Sequence, residues 1–358
     1  MDTLFAPDLA HLSRREFLKL SGAGLLSLFW LPFLDKVERY TRLNEPAAAQ
    51  GPAIRLGRCV DDNVEVYDRP TFSGKLRRAY WRDVVLKIEE VTIGDNVPAY
   101  NRVWYRVNGE GYAHSGKIQP VDLVINKVER SVPSYGRLAR VTVPYTDTIR
   151  NLKRTDEMAY RLYYDTVHWV TNVTVDADKH TRYELYDDKF KENYYVRAEH
   201  MRMILPVDIA PISPDVPLEA KHIEIWLQHQ LVIAYENNEP ALITRAATGG
   251  HFIDGDYSTP QGSYITNRKR PSRHMASEDL AAPNSYDLPG VPWVSYLTKS
   301  GISLHGTYWH NDFGKPRSHG CVNLSPAAAL WFYRWTMPAV PYDQSTWIDD
   351  VGTTVIVL

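Results

Sequence analysis

Apolar and polar residues alternate in short runs along much of this chain. Residues 64–67 (Val-Glu-Val-Tyr), 83–88 (Asp-Val-Val-Leu-Lys-Ile), 103–107 (Val-Trp-Tyr-Arg-Val) and 111–114 (Gly-Tyr-Ala-His) are separated by Gly, Pro and Asn turns. A period of two bounded by turn residues predicts strands with one buried face, so residues 54–123 read as an all-β module. Residues 136–207 repeat the scheme: 183–186 (Tyr-Glu-Leu-Tyr) stands to 194–200 as 103–107 stands to 111–114. This predicts a second, related β module; the alternative is one irregular β domain.

Pro206, Pro211, Pro214 and Pro217 crowd the next segment. Proline supplies no ladder donor and stiffens a chain, which predicts a linker at 208–218. Beyond it, in a domain over 219–358, strands are predicted at 222–227, 230–235, 241–244, 293–297, 302–304 and 353–358. One helix stands out: Ser325 as cap, Pro326 in the first turn, then helix-compatible residues 327–335. Residues 267–290 are polar, contain proline and carry little strand signal, so a long loop is expected there.

Composition narrows this picture. The 358 residues suffice for two or three domains, and 44% hydrophobic with 23% charged residues is an ordinary globular balance. Lys and Arg number 41 against 43 Asp and Glu, a net charge of −2 that gives no reason to expect nucleic acid as partner. The two cysteines, Cys59 and Cys321, allow at most one bridge and exclude a disulfide-stapled fold. No stretch after the N-terminal region is long and apolar enough to span a bilayer.

Two resemblances concern addresses and accessories. Residues 13–19 (Ser-Arg-Arg-Glu-Phe-Leu-Lys) precede a short apolar run over 20–34. This resembles a twin-arginine export signal, occupying residues 1–49. Ala47, Ala48 and Ala49 offer a cleavage site, the alternative being an uncleaved membrane anchor. Export to the periplasm, or to the outer face of the cytoplasmic membrane and cell wall, is implied. The close of the first β module resembles a bacterial SH3-like barrel, and 136–207 resembles it less closely.

The chemistry concentrates near the C-terminus. His305-Gly306 stands 16 positions before Cys321, which lies in Ser318-His319-Gly320-Cys321-Val322-Asn323. A thiol becomes a nucleophile when a neighbouring imidazole stabilises its thiolate and shuttles protons. His305 closes a predicted strand and Cys321 precedes the capped helix, an arrangement able to bring the two together. Gly320 permits a tight turn whose amides point at a developing oxyanion. Zinc binding by His305, His310, His319 and Cys321, and a merely buried cysteine, are the competing readings.

His305-Gly306, followed by Ser-His-Gly-Cys-Val-Asn at 318–323, resembles the signature of the L,D-transpeptidase catalytic domain family. Residues 258–263 (Ser-Thr-Pro-Gln-Gly-Ser) resemble its Thr-Pro-x-Gly turn, and 352–358 its closing strand. The resemblance implies a mainly β protein: SH3-like modules followed by a β-sandwich-like catalytic domain with one notable helix. It implies Cys321 as nucleophile, His305 as proton shuttle, the carbonyl of Gly306 as orienting group, and His319 and Gly320 at the oxyanion. Tyr308, Trp309, Ser318 and Asn323 are candidate substrate contacts. Peptidoglycan stem peptides are the implied partner, 3→3 cross-linking through a cysteine thioester the implied reaction, with no cofactor and no metal, on a monomer. Hydrolysis of the same acyl-enzyme by an L,D-carboxypeptidase, and a non-catalytic cell-wall-binding protein, are the rival functions. Cys59 is expected to be a small buried apolar residue, unbridged to Cys321.

Overall fold

A computed structural model describes residues 55–358 apart from 254 and 282–284. Residues 1–49, where an export signal is expected, lie outside the described residues. The protein is mainly β.

The first sheet contains β1 (Arg55–Cys59), β2 (Val64–Tyr67), β3 (Leu76–Tyr80), β4 (Val85–Ile93), β5 (Val103–Val107), β6 (Gly111–His114) and β7 (Ile118–Val121), ordered β3-β2-β6-β5-β4-β1-β7. The second contains β8 (Arg137–Val141), β9 (Tyr145–Asn151), β10 (Arg154–Tyr163), β11 (Val167–Val175), β12 (Thr181–Tyr186), β13 (Asn193–Arg197) and β14 (Met201–Met203). Its order, β10-β9-β13-β12-β11-β8-β14, is the first order with every strand advanced by seven. Each sheet has its own core, around Trp104, Val107 and Ile118 in the first and Tyr183, Leu185 and Val196 in the second.

The remaining residues form two five-stranded sheets and a helix. One sheet holds β15 (Lys221–Trp226), β16 (Leu231–Glu236), β17 (Glu239–Arg245), β20 (Gly262–Ile265) and β26 (Thr354–Val357), a two-strand ribbon of β18 (His251–Phe252) and β19 (Gly255–Asp256) interrupting the sequence. The other holds β21 (Arg268–Ala276), β22 (Asp287–Tyr296), β23 (Ser303–Gly306), β24 (Val322–Leu324) and β25 (Trp347–Ile348). Helix α1 (Pro326–Trp335) begins where Ser325 Oγ accepts the amide of Ala328 at 3.3 Å. Its C-terminal carbonyls are met by the buried ammonium of Lys269, which donates to Tyr333 O, Thr336 O and Pro338 O. Cations are favoured at that end of a helix.

Two expectations are corrected. Residues 267–290 are no loop: β21 and β22 pair antiparallel from Arg268–Tyr296 to Ala276–Asp287, making a long hairpin. Its alternation is masked by Arg and Lys residues whose charges are answered inside the protein. The proline-rich segment is no free linker either. Ile209 and Ile212 enter the apolar core of the C-terminal part, Ile212 N donates to Arg334 O at 3.1 Å, and Arg334 Nε donates to Ala210 O at 2.8 Å.

Both N-terminal sheets pack on the C-terminal part. Leu138, Val167 and Ile204 join one apolar cluster with Trp293, Leu304, Val322 and Phe332. Burying such side chains contributes about 1.5–3 kcal/mol each. The first sheet is tied on by polar bonds to the loop between β23 and β24. Arg58 Nη2 donates to Tyr308 O at 2.6 Å, and Asn311 N to Gly116 O at 3.2 Å. Among the described residues, no helix is long and apolar enough to cross a membrane.

Candidate active site

Strand β23 runs antiparallel to β22 and parallel to β24, with Leu304 opposite Val322 and His305 opposite Asn323. Cys321 immediately precedes β24, so its thiol lies beside the start of β23. Ser303 and His305, two apart on a strand, share one face. The Cys321 sulfur is 3.8 Å from Ser303 Oγ and 3.9 Å from Gly301 O.

His305 is buried, and its Nδ1 lies 3.1 Å from Gly306 O. A carbonyl only accepts, so Nδ1 carries the proton and Nε2 is left free to receive one. Burial pushes the Cys321 thiol up, but hydrogen bonding and charge from His305, with the amide and hydroxyl of Ser303, outweigh it and hold the thiol below its ordinary value. Cys59 shows the contrast. It is fully buried at the end of β1, where burial pushes it to about 12 despite Arg58 beside it. Both thiols are free.

The turn carrying Cys321 is clamped from both sides. Gly320 sits at φ +112°, where a side chain would be strained. Its amide donates to Ser318 Oγ at 3.2 Å, and the same hydroxyl donates to Cys321 O. Thr259 Oγ1 donates to Gly320 O at 2.8 Å and accepts Gly249 N at 2.9 Å. The Thr-Pro stretch noticed in the sequence thus braces the cysteine turn. His319 is exposed, edge-on to Tyr257 at 4.4 Å between ring centres and 6.3 Å from Tyr286. Tyr286 comes from the tip of the β21–β22 hairpin. Burial, and secondarily the charge of Cys321, raises its phenol.

The four candidate contact residues divide. Ser318 builds the turn. Trp309 is half-buried, its ring 5.8 Å from that of His305. Tyr308 is 2% exposed, stacked on Tyr163, with its hydroxyl donated to Pro289 O at 3.0 Å. Asn323 is 1% exposed; its amide nitrogen lies 3.0 Å from His310 Nε2 and its backbone pairs with Ala247. Tyr308 and Asn323 therefore stand behind the site wall and position it rather than face a substrate. The segment 308–317 is not a solvated loop: Tyr308, His310 and Asp312 are buried, and Asp312 takes Lys315 and Arg317 as ion partners.

His305, His310, His319 and Cys321 do not converge as a zinc set among the described residues. The group close enough to share an ion is Asp176, Asp178 and His180, in the second sheet, and Arg182 already holds Asp176 at 2.7 Å. Sequence reading missed Ser303, Tyr257 and Tyr286. Ser303 had a signal, its spacing of two from His305; Tyr257 and Tyr286 had none.

A mainly β protein thus presents a lowered thiol against an imidazole fixed by a backbone carbonyl, the equipment for acyl transfer. Residues 220–357 match the L,D-transpeptidase catalytic domain family. Among characterised relatives, L,D-transpeptidase 2 of Mycobacterium tuberculosis is 33% identical over 91 residues, covering 22% of this chain and 21% of the relative. The probable L,D-transpeptidase 3 of the same organism is 29% identical over 133 residues, covering 36% of this chain and 43% of the relative. The chain therefore spans less than half the length of these relatives. An L,D-transpeptidase structure from Mycobacterium smegmatis aligns over 76% of this chain and 99% of its own at 18% identity, with a TM-score of 0.32.

Proposed function

We propose that the protein is a peptidoglycan L,D-transpeptidase working through a Cys321 thioester. The observation that carries this is the pairing of a lowered Cys321 thiol with a His305 whose Nδ1–H is committed to Gly306 O. His305 Nε2 takes the thiol proton of Cys321, and the thiolate attacks the carbonyl of the third residue of a tetrapeptide stem. The bond to the terminal D-Ala breaks, and His305 delivers the proton to the departing amine. The side-chain amine of a second stem then attacks the thioester. It forms a 3→3 amide, gives its proton to His305 and returns Cys321 to the thiolate. His319 and the Cys321 amide serve the oxyanion; the Gly320 amide reaches it by exchanging its bond to Ser318.

The two N-terminal sheets act as SH3-like modules on a chain exported to the cell wall. Incubation with a disaccharide tetrapeptide and mass spectrometry of the products tests the reaction. A 3→3 dimer is expected. A trimmed tripeptide alone would make the enzyme an L,D-carboxypeptidase, and unchanged substrate would refute both.

A further inference from the structure

A pocket of about 300 Å³ lies where the two N-terminal sheets meet the β21–β22 hairpin. Arg82 comes from the first sheet's side, Arg161 from the second, and Asp287, Leu288 and Trp309 from the catalytic part. The pocket and the cysteine site are neighbours through one of these residues. Trp309 lines the pocket and sets its ring 5.8 Å from that of His305.

The arginines of the lining all have carboxylate partners, but two of them are part-exposed. Arg58, at the back, is 1% exposed and gives four of its five N–H groups to Asp83, Gln119 and Tyr308 O, so it shapes the wall. Arg82 and Arg161 differ. Arg82 gives Nε and Nη2 to Asp62, and Arg161 gives Nε and Nη2 to Asp147 and Nη1 to Asp83. Each guanidinium has five N–H groups, so both retain unused donors, and their side chains are 44% and 34% exposed. The one carboxylate on the lining, Asp287, is already bonded through Oδ1 to His274. A concave site with aromatic walls and free guanidinium donors selects a carboxylate.

We infer that this pocket binds a free carboxylate of the peptide substrate, making Arg82 and Arg161 specificity-determining residues supplied by the N-terminal sheets. The inference rests on the transpeptidase reading for the identity of the peptide and names which stems are preferred: acidic ones. Neither arginine touches the reacting atoms, so their effect falls on binding.

The test uses the full-length chain carrying Cys321→Ala, so that bound peptide is not consumed, and calorimetry with a stem tetrapeptide bearing free carboxylates or with all carboxylates amidated. The free-acid peptide should bind about tenfold or more tightly, the worth of one charge-assisted hydrogen bond set. Adding Arg82→Gln, or Arg161→Gln, should erase that preference while leaving the amidated peptide's affinity unchanged. Arg78→Gln, an exposed arginine paired with Glu110 outside the pocket, should change neither. Equal affinity for the two peptides, or equal weakening of both by Arg82→Gln, would overturn the pocket assignment. Turnover by the wild-type chain is scored separately. A carboxylate preference without turnover sinks the transpeptidase reading and keeps the pocket; turnover without the preference does the reverse.

Discussion

Replacing Asp187 by Asn should loosen the β21–β22 hairpin from the second sheet. His274, on β21, lies between two carboxylates: Nδ1 meets Asp187 Oδ2 at 2.5 Å, and Nε2 meets Asp287. Two acceptors require both ring nitrogens to be protonated, so His274 is an imidazolium. Burial lowers its pKa, but the bonds and charges of Asp187 and Asp287 more than offset this and raise it. Burial raises Asp187, but His274 and the amides of Phe190 and Lys189 leave it lowered. The Asp187 and His274 side chains are each 2% exposed, and removing one partner of a buried pair costs about 3–5 kcal/mol. Asn keeps the oxygen that accepts the two amides, each at 2.9 Å, so the substitution isolates the charge. A loss of that size should lower the melting temperature by roughly 10 °C, at about 2–4 °C per kcal/mol. The pH dependence has two signs. The raised His274 stabilises fully below about 6.5 and loses its contribution as pH rises through its folded value. The lowered Asp187 stabilises above the ordinary carboxylate range and loses its contribution as pH falls through its own. The wild type should therefore hold an advantage between those limits that shrinks on both sides. Thermal melts of wild type and Asp187→Asn across pH read this directly. A difference under 2 °C near pH 6, or one independent of pH, would refute the ion-pair account; the refuting threshold is about half a kcal/mol.

The remaining predictions concern the site. Cys321→Ala should abolish turnover with the fold intact, whereas Cys59→Ala should leave turnover nearly unchanged; product analysis and melting curves check both. His305→Ala should slow acylation by about 10²–10⁴-fold, the usual worth of a positioned proton shuttle, in single-turnover assays. Ser303→Ala removes a hydroxyl 3.8 Å from the sulfur, so the pH midpoint for iodoacetamide alkylation of Cys321 should rise. An unmoved midpoint would leave Ser303 a packing residue. Changing Arg14 and Arg15 together to Lys should retain the protein in the cytoplasm, as fractionation would show.

Much of the fold was legible because strand alternation is a local signal. Residues 64–67, 103–107 and 111–114 coincide with β2, β5 and β6, and Ser325 caps the predicted helix. The hairpin was hidden for a physical reason. Arg270 and Arg273 look like solvated positions, yet both reach Asp188, in a turn of the second sheet more than eighty residues away. Lys269, alternating with them, is fully buried on the helix carbonyls. Charge in a strand reads as exposure only when its partner is unknown, and no local window contains Asp188 or the end of α1. Tyr308 failed similarly: its place after the His-Gly pair points to the site, while its burial depends on Tyr163 from another sheet.

These partners explain how accessory sheets shape a distant thiol. The segment between His305 and Cys321 has little regular structure to hold it, and its geometry is imposed from outside. The first sheet grips it through Arg58 on Tyr308 O and through the Gly116–Asn311 bond. Gly116 lies so close that an added Cβ would stand 2.6 Å from Asp312 Oδ1. The second sheet grips the opposite wall, holding the hairpin by Asp187, Asp188 and the bond from Ser272 Oγ to Val167 O. A site held to within about half an ångström needs supports locked by their own packing. Here one wall, the loop carrying Trp309, rests on the first sheet, and the other, the hairpin carrying Tyr286, rests on the second. The spacing of those walls is set by how the two sheets dock, which makes the N-terminal half part of the geometry of the candidate site.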